Sequence, residues 1–178
     1  MPCLLYLIFV IITVAFVTTL IALAVPVWQD SSVQTVMSSV TVKTYTYSGL
    51  WSVCTRTEIV GMDTLSCDTY LEDAIDYPGS VKGVQAMMII GGALSAAAFV
   101  AIILKWCCFK TSDILGKIVS ILCIGAAVFL LIGAIVWSTK VKKDQGFDAK
   151  DLNAGFALTI IAAALLLVAG VVVCFLES

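Results

Sequence analysis

The sequence predicts an α-helical membrane protein, in which a bundle of four transmembrane helices carries a small β-sheet between the first two helices. Two observations lead to this prediction. Of the 178 residues, 61% are hydrophobic and only 12% are charged, whereas soluble domains carry about 25% charged residues. Between the first two apolar stretches, the first half of the connection is rich in residue types that favour strands.

Four apolar stretches are each long enough to cross a bilayer, at residues 4–27, 83–104, 114–137 and 154–176. About 20 helical residues span a hydrocarbon core of roughly 30 Å, and a backbone within lipid must satisfy its own hydrogen bonds. Each stretch is therefore predicted to be a helix. The first stretch is too long for a signal peptide and has no Lys or Arg before it, so we expect a retained helix. We expect residues 1–178 to form a single domain.

The first connection, residues 28–82, is too long to be a bare loop. Residue types alternate most clearly from Val40 to Tyr47, where one face would carry Thr41, Lys43, Tyr45 and Tyr47. This pattern predicts a first strand. A second strand is expected at residues 50–57, and a third strand is expected to end near Cys67. The other connection on that side, residues 138–153, is short and charged, and we expect it to add at most one edge strand.

A set of residues in the first connection resembles the signature of the claudin superfamily. These are Trp28, then Gly49-Leu50-Trp51, then Cys54 and Cys67. The superfamily includes claudins, peripheral myelin protein relatives, and the gamma subunits of calcium channels and AMPA receptors. The resemblance implies a left-handed four-helix bundle under a five-stranded antiparallel sheet. It also implies a disulfide between Cys54 and Cys67 across a hairpin, which would stabilise the sheet by about 3 kcal/mol.

The orientation in the membrane is predicted from the cysteines. Lys and Arg are usually more frequent on the cytoplasmic side of a membrane. Here three lie on the side of the connection 105–113, which we expect to be cytoplasmic, and seven lie on the other side, so this count disagrees with the topology that we favour. A disulfide needs an oxidising compartment, so we expect the sheet outside the plasma membrane and both termini in the cytoplasm. Trp28 and Trp51 would then lie near the outer membrane surface. Cys107 and Cys108 are candidate palmitoylation sites, with two unmodified thiols as the alternative.

Enzyme chemistry is not expected. Lys117, near the start of the third stretch, is the single charged residue within the four apolar stretches; the absence of charged residues deeper in the stretches argues against a pump or a proton-coupled transporter. The sequence has no glycine-rich phosphate loop, no metal-ligand cluster and no nucleophile paired with a base. We therefore predict no catalytic residue, cofactor, metal, nucleic acid or small-molecule substrate. Small residues such as Gly91 and Gly92 predict close helix packing, either within the bundle or against another membrane protein.

The predicted sheet is rich in carboxylates, which would attract cations; a surface that merely keeps the sheet soluble is the alternative. By the resemblance, Asp68 matches a position where cation-selective claudins often carry a carboxylate, and Phe147 is a candidate contact with an opposing cell. One hypothesis is therefore a lipid-embedded junction protein that self-associates in cis and in trans and forms a paracellular barrier or a cation-favouring channel. The other is an auxiliary subunit of an ion channel or receptor.

The chain departs from the claudin pattern in four places. The spacing from Cys54 to Cys67 is longer than usual, and Gln85 stands where claudins usually carry an arginine. Of the usual Phe-Tyr-Asn-Pro run in the second outer connection, only Phe147 is present. The sequence ends at Ser178 without the long tail that recruits scaffold proteins. A divergent claudin-like protein and a shortened chain both fit these departures.

Overall fold

The computed structural model describes residues 2–37, 40–59, 62–69, 79–107, 113–141 and 153–176. Its four long helices are α1 (Pro2–Ala24), α2 (Gly79–Cys107), α3 (Asp113–Val136) and α4 (Ala154–Leu176). All four are long and apolar enough to cross a membrane. Together with a small antiparallel sheet, they confirm the predicted fold class.

The helix ends differ from the predicted limits for local reasons. The helix α1 ends at Ala24 because Pro26 has no N–H to donate and its ring disfavours a helical residue before it. The helix α2 begins at Gly79, earlier than the apolar stretch, and continues to Cys107. Beyond α3, Trp137–Val141 form a π-helical turn. The start of the segment predicted as an outer connection is therefore helical.

The bundle is closed in a ring, in which α2 packs on α3, α3 on α4 and α4 on α1, with a smaller contact between α1 and α2. Glycines allow the close approaches. A Cβ on Gly91 would lie 2.9 Å from Leu130, and one on Gly133 would lie 3.1 Å from the sulfur of Met88. These small residues are therefore used within the bundle.

The contact between α1 and α2 is made largely by aromatic side chains. The rings of Phe16 and Phe99 stack with their centroids 5.1 Å apart, and Phe9 meets Trp106 edge to face at 5.0 Å. Tyr6 contacts the same Trp106 ring at 5.8 Å. Rings keep the helix axes further apart than glycines do, which is consistent with the smaller backbone contact between these two helices.

Four strands form one antiparallel sheet, β1 (Gln29–Met37), β2 (Val40–Ser48), β3 (Ser52–Ile59) and β4 (Met62–Thr69), paired in chain order. The prediction of a single strand before residue 50 is wrong, because β1 and β2 form a hairpin there. Between the two strands, the sequence carries only the weak turn signal Ser38-Ser39. These two residues lie outside the described part of the chain. So do residues 142–152, where an edge strand is expected.

Candidate functional site

The sheet is attached to the bundle through a group of residues that we name the collar: Trp28, Gly49–Trp51, Gln85, Trp137 and Asn153–Gly155. The last carbonyls of a helix have no partner within it. At the end of α1, the indole N–H of Trp28 donates to the carbonyl of Ala22 at 3.0 Å. The indole N–H of Trp51 donates to the carbonyl of Leu23 at 2.7 Å. Both tryptophans of the signature therefore cap α1.

The same segment also caps the beginning of α4, whose first N–H groups need acceptors. The N–H of Asn153 donates to the carbonyl of Trp28 at 2.9 Å, and the N–H of Gly155 donates to the carbonyl of Val27 at 3.0 Å. The short link between α1 and β1 thus satisfies the ends of two helices and fixes where the first strand starts.

Two glycines are required by the packing of the collar. A Cβ on Gly155 would lie 2.5 Å from Cδ1 of Trp28, and a Cβ on Gly49 would lie 2.5 Å from the carbonyl oxygen of Pro26. The indole of Trp28 is completely buried and lies 5.1 Å from the ring of Trp137. We expected this indole near the membrane surface; the structure places it inside the protein, because it fills the junction between the sheet and the helices.

Gln85, which departs from the claudin pattern, also belongs to the collar. Its side-chain amide donates to the carbonyl of Leu50 at 2.8 Å. The Leu50 side chain is completely buried in the core. An uncharged amide on α2 therefore holds the middle residue of the Gly-Leu-Trp triplet.

The structure joins Cys54 and Cys67 in a disulfide. The two residues are directly opposite in the register of β3 and β4, so the bond links the strands without shifting them. Because successive side chains in a strand point to opposite faces, the sulfurs define one face of the sheet. Tyr47 pairs with Cys54 and lies on that same face.

We call this the charged face. By the strand register it includes Asp30, Lys43, Tyr45, Tyr47, Ser52, Cys54, Arg56, Glu58, Asp63, Cys67 and Thr69. The prediction that Lys43, Tyr45 and Tyr47 share a face is confirmed.

The charges on this face are partly neutralised by Arg56. Its guanidinium binds both carboxylate oxygens of Asp63, with Nε 3.0 Å from Oδ1, and lies 3.4 Å from Glu58. The hydrogen bond and the charge of Asp63 raise the pKa of Arg56. Two of the carboxylates counted from the sequence are therefore paired with a cation.

The opposite face, which we call the hydroxyl face, has a different chemistry. It presents Thr44, Thr46, Thr55, Thr57, Thr64 and Ser66, followed by Asp68. Asp68 is exposed and lies opposite Val53. Among the residues that the structure describes, it is the single charged residue on this face. Its position directly after Cys67 puts it on the face that the disulfide does not occupy.

The remaining candidate residues are less well defined. Cys107 is exposed at the end of α2, beside Trp106. Cys108 and Phe147 lie outside the described residues. Palmitoylation and a contact at Phe147 thus stay predictions. Two features were missed from the sequence: the helix capping at Asn153 and the hydroxyl face. The repeated Thr-x-Thr spacing at residues 44–46 and 55–57 was a signal for the hydroxyl face.

These features define a class of protein: a multi-pass membrane protein with four helices and a disulfide-linked sheet, seated on the bundle by two tryptophans and a Gly-Leu-Trp triplet. The model of the PMP-22/EMP/MP20/Claudin family matches residues 1–173, and the chain belongs to this family. Claudin-2 from Canis lupus familiaris is 27% identical over 174 residues, covering 88% of this chain and 71% of the relative. The resemblance expected from the signature is thereby confirmed.

Proposed function

We propose that this chain is a claudin-type junction protein that associates with copies of itself at cell contacts and forms a cation-favouring paracellular pathway. Membership of the family and the similarity to a claudin support the junctional role. The disulfide supports an orientation with the sheet outside the cell and both termini in the cytoplasm, because disulfides persist in oxidising compartments.

The observation that carries the cation preference is the separation of charge between the two faces. The described cations of the sheet, Lys43 and Arg56, lie on the charged face. On the hydroxyl face, Asp68 is exposed, and no cation among the described residues contacts it. An unpaired carboxylate facing a narrow aqueous gap raises the local concentration of cations and lowers that of anions within a Debye length of about 8 Å.

The alternative function, an auxiliary subunit of a channel or receptor, drew on small residues that could receive a partner helix. Gly92 packs against Leu23 of α1, and Gly170 against Cys123 and Ile124 of α3. Gly91 and Gly133 likewise pack inside the bundle. With these faces occupied within the chain, self-association through other surfaces is the better supported proposal.

The test uses epithelial monolayers that express the full chain at matched surface levels. We expect the protein to concentrate at cell contacts and to raise transepithelial conductance with a preference for Na⁺ over Cl⁻. Asp68→Asn should bring the dilution potential close to that of untransfected cells. The control is Asp30→Asn, the same chemical change on the charged face, which should behave as the original protein.

Each outcome has a distinct meaning. An unchanged dilution potential in Asp68→Asn would remove the selectivity role of this carboxylate. A uniform surface distribution with unchanged conductance would reject the junctional role. In that case, stoichiometric recovery of a pore-forming subunit after mild-detergent extraction would support the auxiliary-subunit function.

A further inference from the structure

The hydroxyl face has a regularity that the sequence pattern alone does not reveal. Strand pairing brings Thr44, Thr57 and Thr64 into one row across three strands. Beside it lies a second row, Thr46, Thr55 and Ser66.

The array leads directly to Asp68. This residue follows Ser66 by two positions on β4 and therefore lies on the same face in the adjoining row. Residues on one face of a strand are about 7 Å apart, and neighbouring strands are about 5 Å apart. Six hydroxyl groups thus form a compact two-row array that ends at a single carboxylate.

Part of the array is accessible and keeps its lone pairs available. Thr64 and Ser66 are exposed, whereas Thr44 and Thr55 are half-buried. The hydroxyl of Thr64 donates to the carbonyl of Thr57. A hydroxyl that donates its proton to the backbone still offers two acceptor lone pairs on its oxygen. The oxygen of Thr64 is thereby oriented as an acceptor.

We propose that the hydroxyl face lines the paracellular pathway, and that its oxygens replace part of the hydration water of monovalent cations as they pass the sheet. Conduction requires binding that is favourable enough for entry and weak enough for release. Neutral hydroxyl oxygens at short intervals meet this requirement, whereas a row of carboxylates would hold cations more firmly. Asp68 sets the preference for cations, and the hydroxyl array sets how readily they move.

The inference rests on the proposed function. It assigns the preference for cations to Asp68 and the magnitude of the conductance to the hydroxyl array. Replacing Thr44, Thr55 and Thr57 together by Val removes three hydroxyls while keeping side-chain shape and β-propensity. If the three sites together contribute the worth of one ordinary hydrogen bond, Na⁺ conductance should be lower by about three- to tenfold. The ratio of cation to anion permeability should stay that of the original chain, because Asp68 is retained.

Two control variants make the experiment decisive. Replacing the same three threonines by Ser keeps the hydroxyls and should retain the original conductance. Ser52→Ala with Thr69→Val removes hydroxyls from the charged face, where these residues pair, and should also leave conductance unchanged. All variants are compared in the same monolayers at equal surface abundance, with Na⁺, K⁺ and Cl⁻ as the measured ions.

The outcomes separate this inference from the proposed function. Loss of conductance in the Val variant with retention in the Ser variant supports the hydroxyl lining. Conductance that is unchanged in the Val variant, or equally lost in the Val and Ser variants, overturns it even though the original chain conducts. If the original chain adds no conductance, the proposed function fails and the lining fails with it.

Discussion

Gly155→Ala is expected to destabilise the protein, although alanine is the better helix former. The new Cβ would lie 2.5 Å from Cδ1 of Trp28 and 2.7 Å from its Nε1, so the indole must move by about an ångström, since carbon atoms pack at roughly 3.5–4.0 Å. That movement strains the hydrogen bond to Ala22, 3.0 Å long. Overpacking costs about 1–3 kcal/mol and the lost bond about 1–3 kcal/mol, against a helix gain of about 0.5–1 kcal/mol.

The net loss of about 1–5 kcal/mol should lower the melting temperature by about 2–20 °C, at 2–4 °C for each kcal/mol in a chain of this size. The measurement is thermal unfolding of the purified protein in detergent, followed by tryptophan fluorescence. Gly83→Ala is the matched control, because Gly83 is also helical and a Cβ there meets nothing within 4 Å. It should raise the melting temperature slightly. Equal or opposite shifts in the two variants would refute the packing argument.

Two further predictions concern the other attachments of the sheet. Gln85→Leu leaves the carbonyl of Leu50 without its hydrogen-bond donor and should lower the stability by about 1–3 kcal/mol. Gln85→Arg keeps a donor, and its melting temperature should stay within a few degrees of that of the original chain. A Leu variant that melts at the same temperature as the original chain would contradict a stabilising role of this hydrogen bond. Replacing Cys54 and Cys67 by Ser should cost about 3 kcal/mol and reduce delivery to the cell surface, as measured by surface biotinylation. Normal delivery of that variant, or free thiols in the original chain by non-reducing peptide mapping, would count against a stabilising disulfide.

Much of the fold could be predicted because long apolar stretches leave the backbone few alternatives. In α4, the predicted limits coincide with those in the structure, since the apolar run itself begins at Ala154 and ends at Leu176. The β1–β2 hairpin could not be predicted as easily. Only two serines separate β1 from β2 in the sequence, and serine favours turns only weakly. The two strands also contain the same residue types.

The chemistry of the site was harder to predict than its position. Counting carboxylates suggested an acidic sheet, but a count does not say which face each residue occupies. Arg56 and Asp63 come together only because β3 and β4 pair in this register. Asp68 lies on the opposite face because it directly follows Cys67 in β4, and this assignment was not made from the sequence. The hydrogen bonds of Trp28 and Trp51 could not be anticipated, because their acceptors are backbone carbonyls that any residue provides.

The collar and the hydroxyl face are built from different chemical groups, so a substitution can change stability or conductance separately. The collar depends on indole and amide donors, backbone carbonyls and two glycines, none of which lies on an exposed face of the sheet. The hydroxyl face depends on side chains that contribute little to attachment. Changes on that face, such as Thr55→Val, should therefore alter conductance while the melting temperature stays nearly constant. Changes in the collar, such as Gly155→Ala, should lower the melting temperature first and affect conductance only through the amount of folded protein.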